Sequence, residues 1–294
     1  MDEQASPQVE EFTSVQAGSF SVPATVMVIE PRRGWATIDW HELLHYRDLL
    51  YFLVWRDIKV RYKQTVLGAL WAIVQPTMYM VVFSLFFGRL AGMPSDGLPY
   101  PIFLYAGLLP WTLFASSVGQ SANSVIGSSN LITKVYFPRL IIPLASVGSA
   151  LVDFAVASSV LVILMIYYAV APGMALLWLP LLIAGTVTTA LGIGMLIAAL
   201  NVTYRDFRYI VPFMIQLWLF LTPVIYPVNL VPPSWQWLLM LNPMTGLIGG
   251  YRASLLDLPM PWEGLAVALV LGVVAFIAGA LYFRTTERTF ADVV

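Results

Sequence analysis

The stretch RDIKVRYKQTVLGALWAIVQPTMYMVVFSLFF, residues 56–87, decides how the chain must be read. It opens on a cationic cluster, Arg56, Lys59, Arg61 and Lys63, and then carries no charged residue from Leu67 to Phe87. A bilayer core is crossed by about 20 consecutive apolar residues in a helix. Basic residues flanking such a run mark the cytoplasmic side. The stretch is therefore a membrane-spanning helix preceded by a basic segment on its inner face.

The composition agrees. The 294 residues are 59% hydrophobic and 11% charged, with a formal net charge of −1 and a mean hydropathy of +0.80. Soluble domains carry about 25% charged residues, so a solvated globular enzyme is excluded. The neutral balance argues against nucleic acid as a partner. With no cysteine, disulfides, thiolate nucleophiles and cysteine metal sites are excluded together.

Working outward, five further apolar runs follow the first (Leu67–Phe87): Tyr100–Val118, Leu140–Val170, Leu176–Leu200, Ile210–Tyr226 and Leu265–Phe283. The sequence predicts an all-α integral membrane protein of six transmembrane helices. Pro76, Pro212 and Pro223 fall inside spans, where kinks are tolerated if neighbouring groups satisfy the freed carbonyls. Residues 1–38, acidic and rich in Ser, Pro, Gln and Val, read as a disordered amino-terminal tail with no signal-peptide pattern. Residues 39–65 read as a basic amphipathic helix lying on the membrane surface, opened by a capping box of Asp39 and Glu42. The six-span domain occupies 66–290.

Orientation follows from the loops. With the amino terminus inside, Arg47 to Lys63, Lys134, Arg139, Arg205, Arg208, Arg284 and Arg288 are cytoplasmic, and the outer loops keep only Arg89 and Arg252. Both termini are expected in the cytoplasm. The segment from Pro227 to Glu263 is too apolar for a solvated loop and too broken by Pro and Gly for a clean span. It predicts short re-entrant helices between spans five and six, with Trp235 and Trp237 at the interface. A seventh, broken crossing is the alternative, but it would leave the basic carboxyl terminus outside.

Motifs narrow the chemistry. His41-Glu42-Leu43-Leu44-His45 matches the zinc-protease HExxH, but the extended pattern is not completed and no further histidine exists for a third ligand. An interfacial helix carrying two headgroup-facing histidines is the preferred reading, with no metal site. The lysines at 59, 63 and 134 are preceded by Ile58, Tyr62 and Thr133, so no P-loop is present. No Gly-x-Ser-x-Gly elbow has an available histidine, and catalytic residues are not expected. Asp153 is the clearest acid within a span, and pairing with a nearby cation such as Arg139 is expected. Tyr79, Phe83, Trp111, Phe114, Trp218 and Phe220 are candidates to line a passage for sugars, whose C–H faces stack on rings; lipid-facing or packing roles are the alternative.

At this point the residues carry a family resemblance. Arg56-Asp57-Ile58-Lys59-Val60-Arg61-Tyr62-Lys63-Gln64-Thr65-Val66-Leu67-Gly68, with Trp71 and Gln75-Pro76, resembles the opening of ABC-2-type polysaccharide export permeases. So do Lys134-Val135-Tyr136-Phe137-Pro138-Arg139, Asn201-Val202-Thr203-Tyr204-Arg205-Asp206, Thr222-Pro223-Val224-Ile225-Tyr226-Pro227 and Leu241-Asn242-Pro243-Met244-Thr245-Gly246. The resemblance covers about Trp40 to Phe290, and the subfamily exporting O-antigen, capsule or teichoic acid fits best. The amino-terminal extension is longer than the family pattern.

The resemblance implies a homodimer in the bacterial inner membrane that encloses a polysaccharide channel, with two copies of a separate ATPase subunit below it. ATP and Mg²⁺ would be bound by that partner, and this chain would hold no cofactor. Arg56, Lys59, Arg61 and Lys63 would receive the pyrophosphate headgroup of a lipid-linked polymer. Ser128, Ser129, Asn130, Leu131, Lys134 and Tyr136 would form a coupling helix, with Tyr204 and Arg205 as a second ATPase contact. Trp235, Trp237, Asn242 and Pro243 would belong to a periplasmic gate. An ABC-2 permease for a drug or lipid is the alternative function, and a membrane zinc protease using the HELLH motif the remote one.

Overall fold

A computed structural model describes residues 44–63, 68–134, 137–204, 206–287 and 290, all within one compact unit, Trp35–Val294. Ten α-helices make up the described fold: α1 Arg47–Lys63, α2 Leu70–Phe83, α3 Tyr100–Gly127, α4 Ser129–Lys134, α5 Ile141–Tyr167, α6 Leu179–Thr203, α7 Phe207–Leu221, α8 Pro233–Met240, α9 Pro243–Leu256 and α10 Trp262–Thr286. A π-helical turn, Ser84–Leu90, prolongs α2, and a 3₁₀ turn, Met174–Trp178, leads into α6. No strand occurs among the described residues.

Five of these helical stretches are long and apolar enough to cross a membrane: Leu70–Leu90, Tyr100–Gly127, Ile141–Tyr167, Met174–Thr203 and Trp262–Thr286. The fifth expected span is shorter than its sequence suggests. Helix α7 has 15 residues, about 22 Å of rise, against a hydrocarbon core of about 30 Å. It stops just before Pro223, which disfavours helical geometry at the residue before it, although Gln75 and Leu109 remain helical before Pro76 and Pro110. Thr222 adopts φ −101°, ψ 138°. The apolar run continues to Tyr226, with Pro223 expected as a kink; in the fold the helix ends before Pro223.

Prolines also start helices. Pro101, Pro180, Pro233 and Pro243 occupy the first or second helical position of α3, α6, α8 and α9, where a missing N–H costs nothing. Asn242 caps α9 by accepting the Met244 N–H at 3.1 Å. Asp257 ends it in the left-handed conformation, φ 55°.

The core is organised around α3, which is buried along most of its length between α5, α6 and α9. Ile102, Leu104, Tyr105, Phe114, Leu247 and Tyr251 are fully enclosed. Helix α10 packs most extensively on α6, and the reason is steric. A Cβ on Gly192 would fall on the backbone of Ala275 and Phe276, and one on Gly279 would fall on the Gly192 carbonyl. Close backbone approach through small residues is how helices gain packing energy where lipid supplies no hydrophobic drive. Helices α2 and α7, by contrast, leave Trp71, Met78, Val81, Phe213, Met214 and Leu217 exposed.

Candidate functional site

A partly open cavity of about 460 Å³ lies between α2, α3, α5 and α7. Its polar wall is shared among the four helices: Gln75 from α2, Thr112, Ser116 and Asn123 from α3, Asp153 from α5 and Gln216 from α7. Tyr79, Trp71 and Trp111 supply flat aromatic surface among them. Polar side chains on membrane-spanning helices are expensive facing lipid and gather around cavities instead. This mix of amides, hydroxyls and rings can hydrogen-bond and stack on a neutral, hydroxyl-rich chain.

The six aromatics selected from sequence separate into groups. Tyr79 and Trp111 line the cavity. Phe83 stacks on Tyr79, with ring centroids 5.9 Å apart. Phe114 has no exposed surface; it packs edge-to-face with Trp218 at 5.1 Å and beside Trp111 at 5.5 Å. Phe114 and Trp218 thus back the wall, behind the Trp111 ring that faces the cavity. Phe220 is exposed and outside the cavity lining. Gln216 is not among the residues the sequence reading selects, and Gln75 enters it only within the Gln75-Pro76 motif, although a lone glutamine within an apolar span is itself a signal.

The basic cluster on α1 is divided by its partners. Arg56 donates to Asp57 from Nε at 3.0 Å and from Nη2 at 2.8 Å. Arg61 makes an ion pair with Asp153 of α5, and the Tyr62 hydroxyl donates to the other Asp153 oxygen at 2.5 Å. Lys59 and Lys63, one turn apart on the same helix, are exposed. Desolvation, then the hydrogen bond to Asp153 and that residue's negative charge, push the Tyr62 phenol up to about 12. The expected pairing of Asp153 with Arg139 is thus corrected. Arg139 instead donates to the Glu287 carbonyl and lies over the Phe290 ring. The physical reason is the path of α1. It crosses α5 with Val54 against Gly148 and Arg61 against Asp153, which brings its last turn to the carboxylate.

At one end of the bundle, Asn201 is buried and donates to the Ala122 carbonyl at 3.0 Å. This bond ties the end of α6 to the end of α3, so that Tyr204 and helix α4 emerge together. Helix α4 is anchored by buried Ile132 and presents Asn130, Thr133 and Lys134 outward. Ser128 accepts the Leu131 and Ile132 N–H groups through its backbone oxygen, while Ser129 and Leu131 are half-buried. Tyr204 is exposed. Tyr136 and Arg205 lie outside the described residues.

At the other end, Arg252 departs from expectation. An outer-loop cation should be solvated, yet Arg252 is buried. Its guanidinium donates to the Phe103 carbonyl at 3.3 Å, Pro223 at 2.9 Å and Val224 at 2.6 Å, and lies 3.7 Å from the centre of the Phe103 ring. Tyr100 donates to the Ile225 carbonyl at 2.7 Å, and Asn242 donates to Thr222 Oγ1 at 2.8 Å. Arg252 and Tyr100 thus satisfy the carbonyls of the irregular segment 223–225 that follows α7, and Asn242 holds the Thr222 hydroxyl. No spacing in the sequence announces this, because most of the acceptors are backbone. Trp235 and Trp237 of α8 are both exposed, and Pro243 follows the Asn242 cap. His41 and Glu42 lie outside the described residues; His45 is exposed on α1's approach.

Comparison with known proteins then decides the family. The sequence profile described as ABC-2 type transporter matches residues 48–256. The chain belongs to the ABC-2 type transporter family. As an ABC-2 permease it is 33% identical over 255 residues to the O-antigen export system permease protein RfbA of Myxococcus xanthus, covering 85% of this chain and 97% of that one. It is 29% identical over 248 residues to the O-antigen export system permease protein RfbA of Klebsiella pneumoniae, covering 84% and 95%. The polysialic acid transport protein KpsM of Escherichia coli is 24% identical over 246 residues, covering 79% and 91%. The ABC-2 permease described here is thus a multi-pass, all-helical membrane protein of a transporter family.

Proposed function

We propose that this chain is the permease subunit of an ABC transporter that exports a lipid-linked polysaccharide, of the O-antigen class, across the bacterial inner membrane. The observation that carries the reading is the cavity wall itself: amides, hydroxyls and aromatic rings without a cluster of charge. A surface of that kind suits a polymer that must be held weakly and slide. The O-antigen export permeases at 29–33% identity, matched over nearly their whole length, support the choice of polymer.

In this reading two copies of the chain enclose the channel, and each binds one copy of a cytoplasmic ATPase subunit that holds ATP and Mg²⁺. Both termini are cytoplasmic, and membrane lipid is the remaining partner. The pyrophosphate of the lipid carrier docks beside Arg56, Lys59, Arg61 and Lys63, where cations meet the membrane surface. The polymer then passes Tyr79, Trp111 and the polar wall. Helix α4 and Tyr204 transmit the push of ATP binding, and α8 with the start of α9 forms the outer gate.

The test is purification of the chain from native membranes together with a gene deletion. A P-loop subunit at equal stoichiometry, and loss of surface polysaccharide with polymer retained inside the deletion strain, are expected. A lone protein and an unaltered cell surface would refute the assignment.

A further inference from the structure

Asp153 is the one charged side chain in the described cavity wall. It lies within a span, where a bare carboxylate is costly, and both of its oxygens are engaged. One accepts from Arg61 and the other from the Tyr62 hydroxyl, at 2.5 Å. Both donors come from the last turn of α1, the segment read above as receiving the anionic headgroup. A guanidinium beside a hydroxyl is also a donor set for phosphate oxygens. The pair is not sealed off, since the Arg61 and Asp153 side chains retain 36% and 24% exposure. Lys59 and Lys63 stand exposed on the same helix, so an incoming anion meets their charge beside a guanidinium already held by an internal carboxylate.

We propose that Asp153 is a displaceable counter-ion: the anionic headgroup takes Arg61 from it and so unhooks α1 from α5. The inference rests on the headgroup role proposed for the basic cluster. In the unloaded protein the carboxylate holds α1 against the wall of the cavity, with Val54 seated on Gly148. Loading replaces one anion by another at the same donors, which converts headgroup binding into movement of α1. Asp153 is therefore a positioning residue, acting on the substrate through Arg61.

The chain has no cysteine, so spin labels at W55C and A155C, on exposed positions of α1 and α5, report one distance. The full-length permease in phosphatidylcholine nanodiscs is titrated with farnesyl pyrophosphate, with farnesol as the uncharged control. With Asp153 present, the pyrophosphate lengthens the distance and farnesol does not. In Asp153→Asn the distance is already long, and farnesyl pyrophosphate binds about fivefold more tightly because the competing charge is gone. The exchange variant R61D/D153R restores the short distance but makes it unresponsive to the probe. If Asp153→Asn leaves affinity unchanged or lowers it while the parent protein binds the probe, the carboxylate is a plain structural partner and the proposal fails, with the headgroup role intact. Equal lengthening by farnesol overturns it too. If the parent does not bind the probe, or K59Q/K63Q binds it as tightly as the parent, the headgroup role itself falls and takes the inference with it.

Discussion

Arg252 donates to the carbonyl of Val224 at 2.6 Å across the break that ends α7. The same guanidinium reaches the carbonyls of Pro223 and, on α3, Phe103, so one side chain ties the irregular segment after α7 to α3. Each buried acceptor left without a donor costs about 1–3 kcal/mol. Arg252→Met should therefore destabilise the protein by at least about 3 kcal/mol, read as a lowered melting temperature in detergent. Arg252→Lys, with a point charge in place of a fork, should fall between. A melting temperature unchanged in Arg252→Met would mean that water replaces the guanidinium at no cost.

Gly107 makes room for that arrangement. A Cβ there would stand 2.7 Å from Arg252 Nη2 and 3.2 Å from the Val224 carbonyl oxygen. Gly107→Ala should cost about 1–3 kcal/mol by overpacking. Because the obstacle is the guanidinium, the penalty should shrink once Arg252 is Met. A double-mutant cycle measures the coupling, expected at about 1 kcal/mol or more; strict additivity would show that the two sites do not share the strain.

The contrast between these sites and the spans shows what sequence can and cannot reveal. Apolar runs of membrane length are local properties, and five of the predicted runs coincide with helices long enough to cross. The break after Leu221 is also local, since Pro223 is visible, but prolines both kink spans and end them, as Pro76 inside α2 and Pro223 after α7 show. The outcome here depends on whether Arg252 and Tyr100 are present to satisfy the backbone after the break, with Asn242 holding the Thr222 hydroxyl. Those partners lie far off in sequence, as does Arg61 from Asp153. Of the cavity, Tyr79 and Trp111 were legible by residue type, whereas Phe114 was not distinguishable from them until its burial was seen.

Helix α6 meets α10 through glycine, and the contact is intolerant of a single methyl. A Cβ on Gly279 would collide with the Gly192 carbonyl, which is backbone and cannot swing aside. Gly119, also helical, has nothing within 4 Å of its Cβ position. Gly279→Ala should lower the melting temperature, whereas Gly119→Ala should hold or raise it, since alanine favours a helix by about 1 kcal/mol over glycine. Thermal melts of the two variants side by side separate packing from propensity.

Tyr62 gives the α1–α5 contact a pH limit. Burial first, and then the Asp153 carboxylate, raise its phenol from the ordinary value near 10 to about 12, so the protonated form is favoured in the folded state. The stability it contributes is complete below the unfolded value and is lost as pH rises through the folded one. The difference between the phenolate absorbance titrations of the parent protein and Tyr62→Phe should show a midpoint near 12. A midpoint near 10 would mean that the phenol is neither buried at this contact nor held by Asp153.

Helix α4 separates anchoring from contact within six residues. Ile132 is buried beside Phe137 and Leu140, while Asn130 and Lys134 point away from the bundle. If this helix docks on the ATPase, Lys134→Glu should weaken co-purification of that subunit and reduce export without altering the melting temperature of the permease. Ile132→Asp should do both, because a carboxylate in place of the anchor detaches the helix from its seat. Comparing pull-down yield with thermal stability across the pair distinguishes the two roles. Full retention of the ATPase by Lys134→Glu, together with normal export, would remove that side chain from the coupling surface.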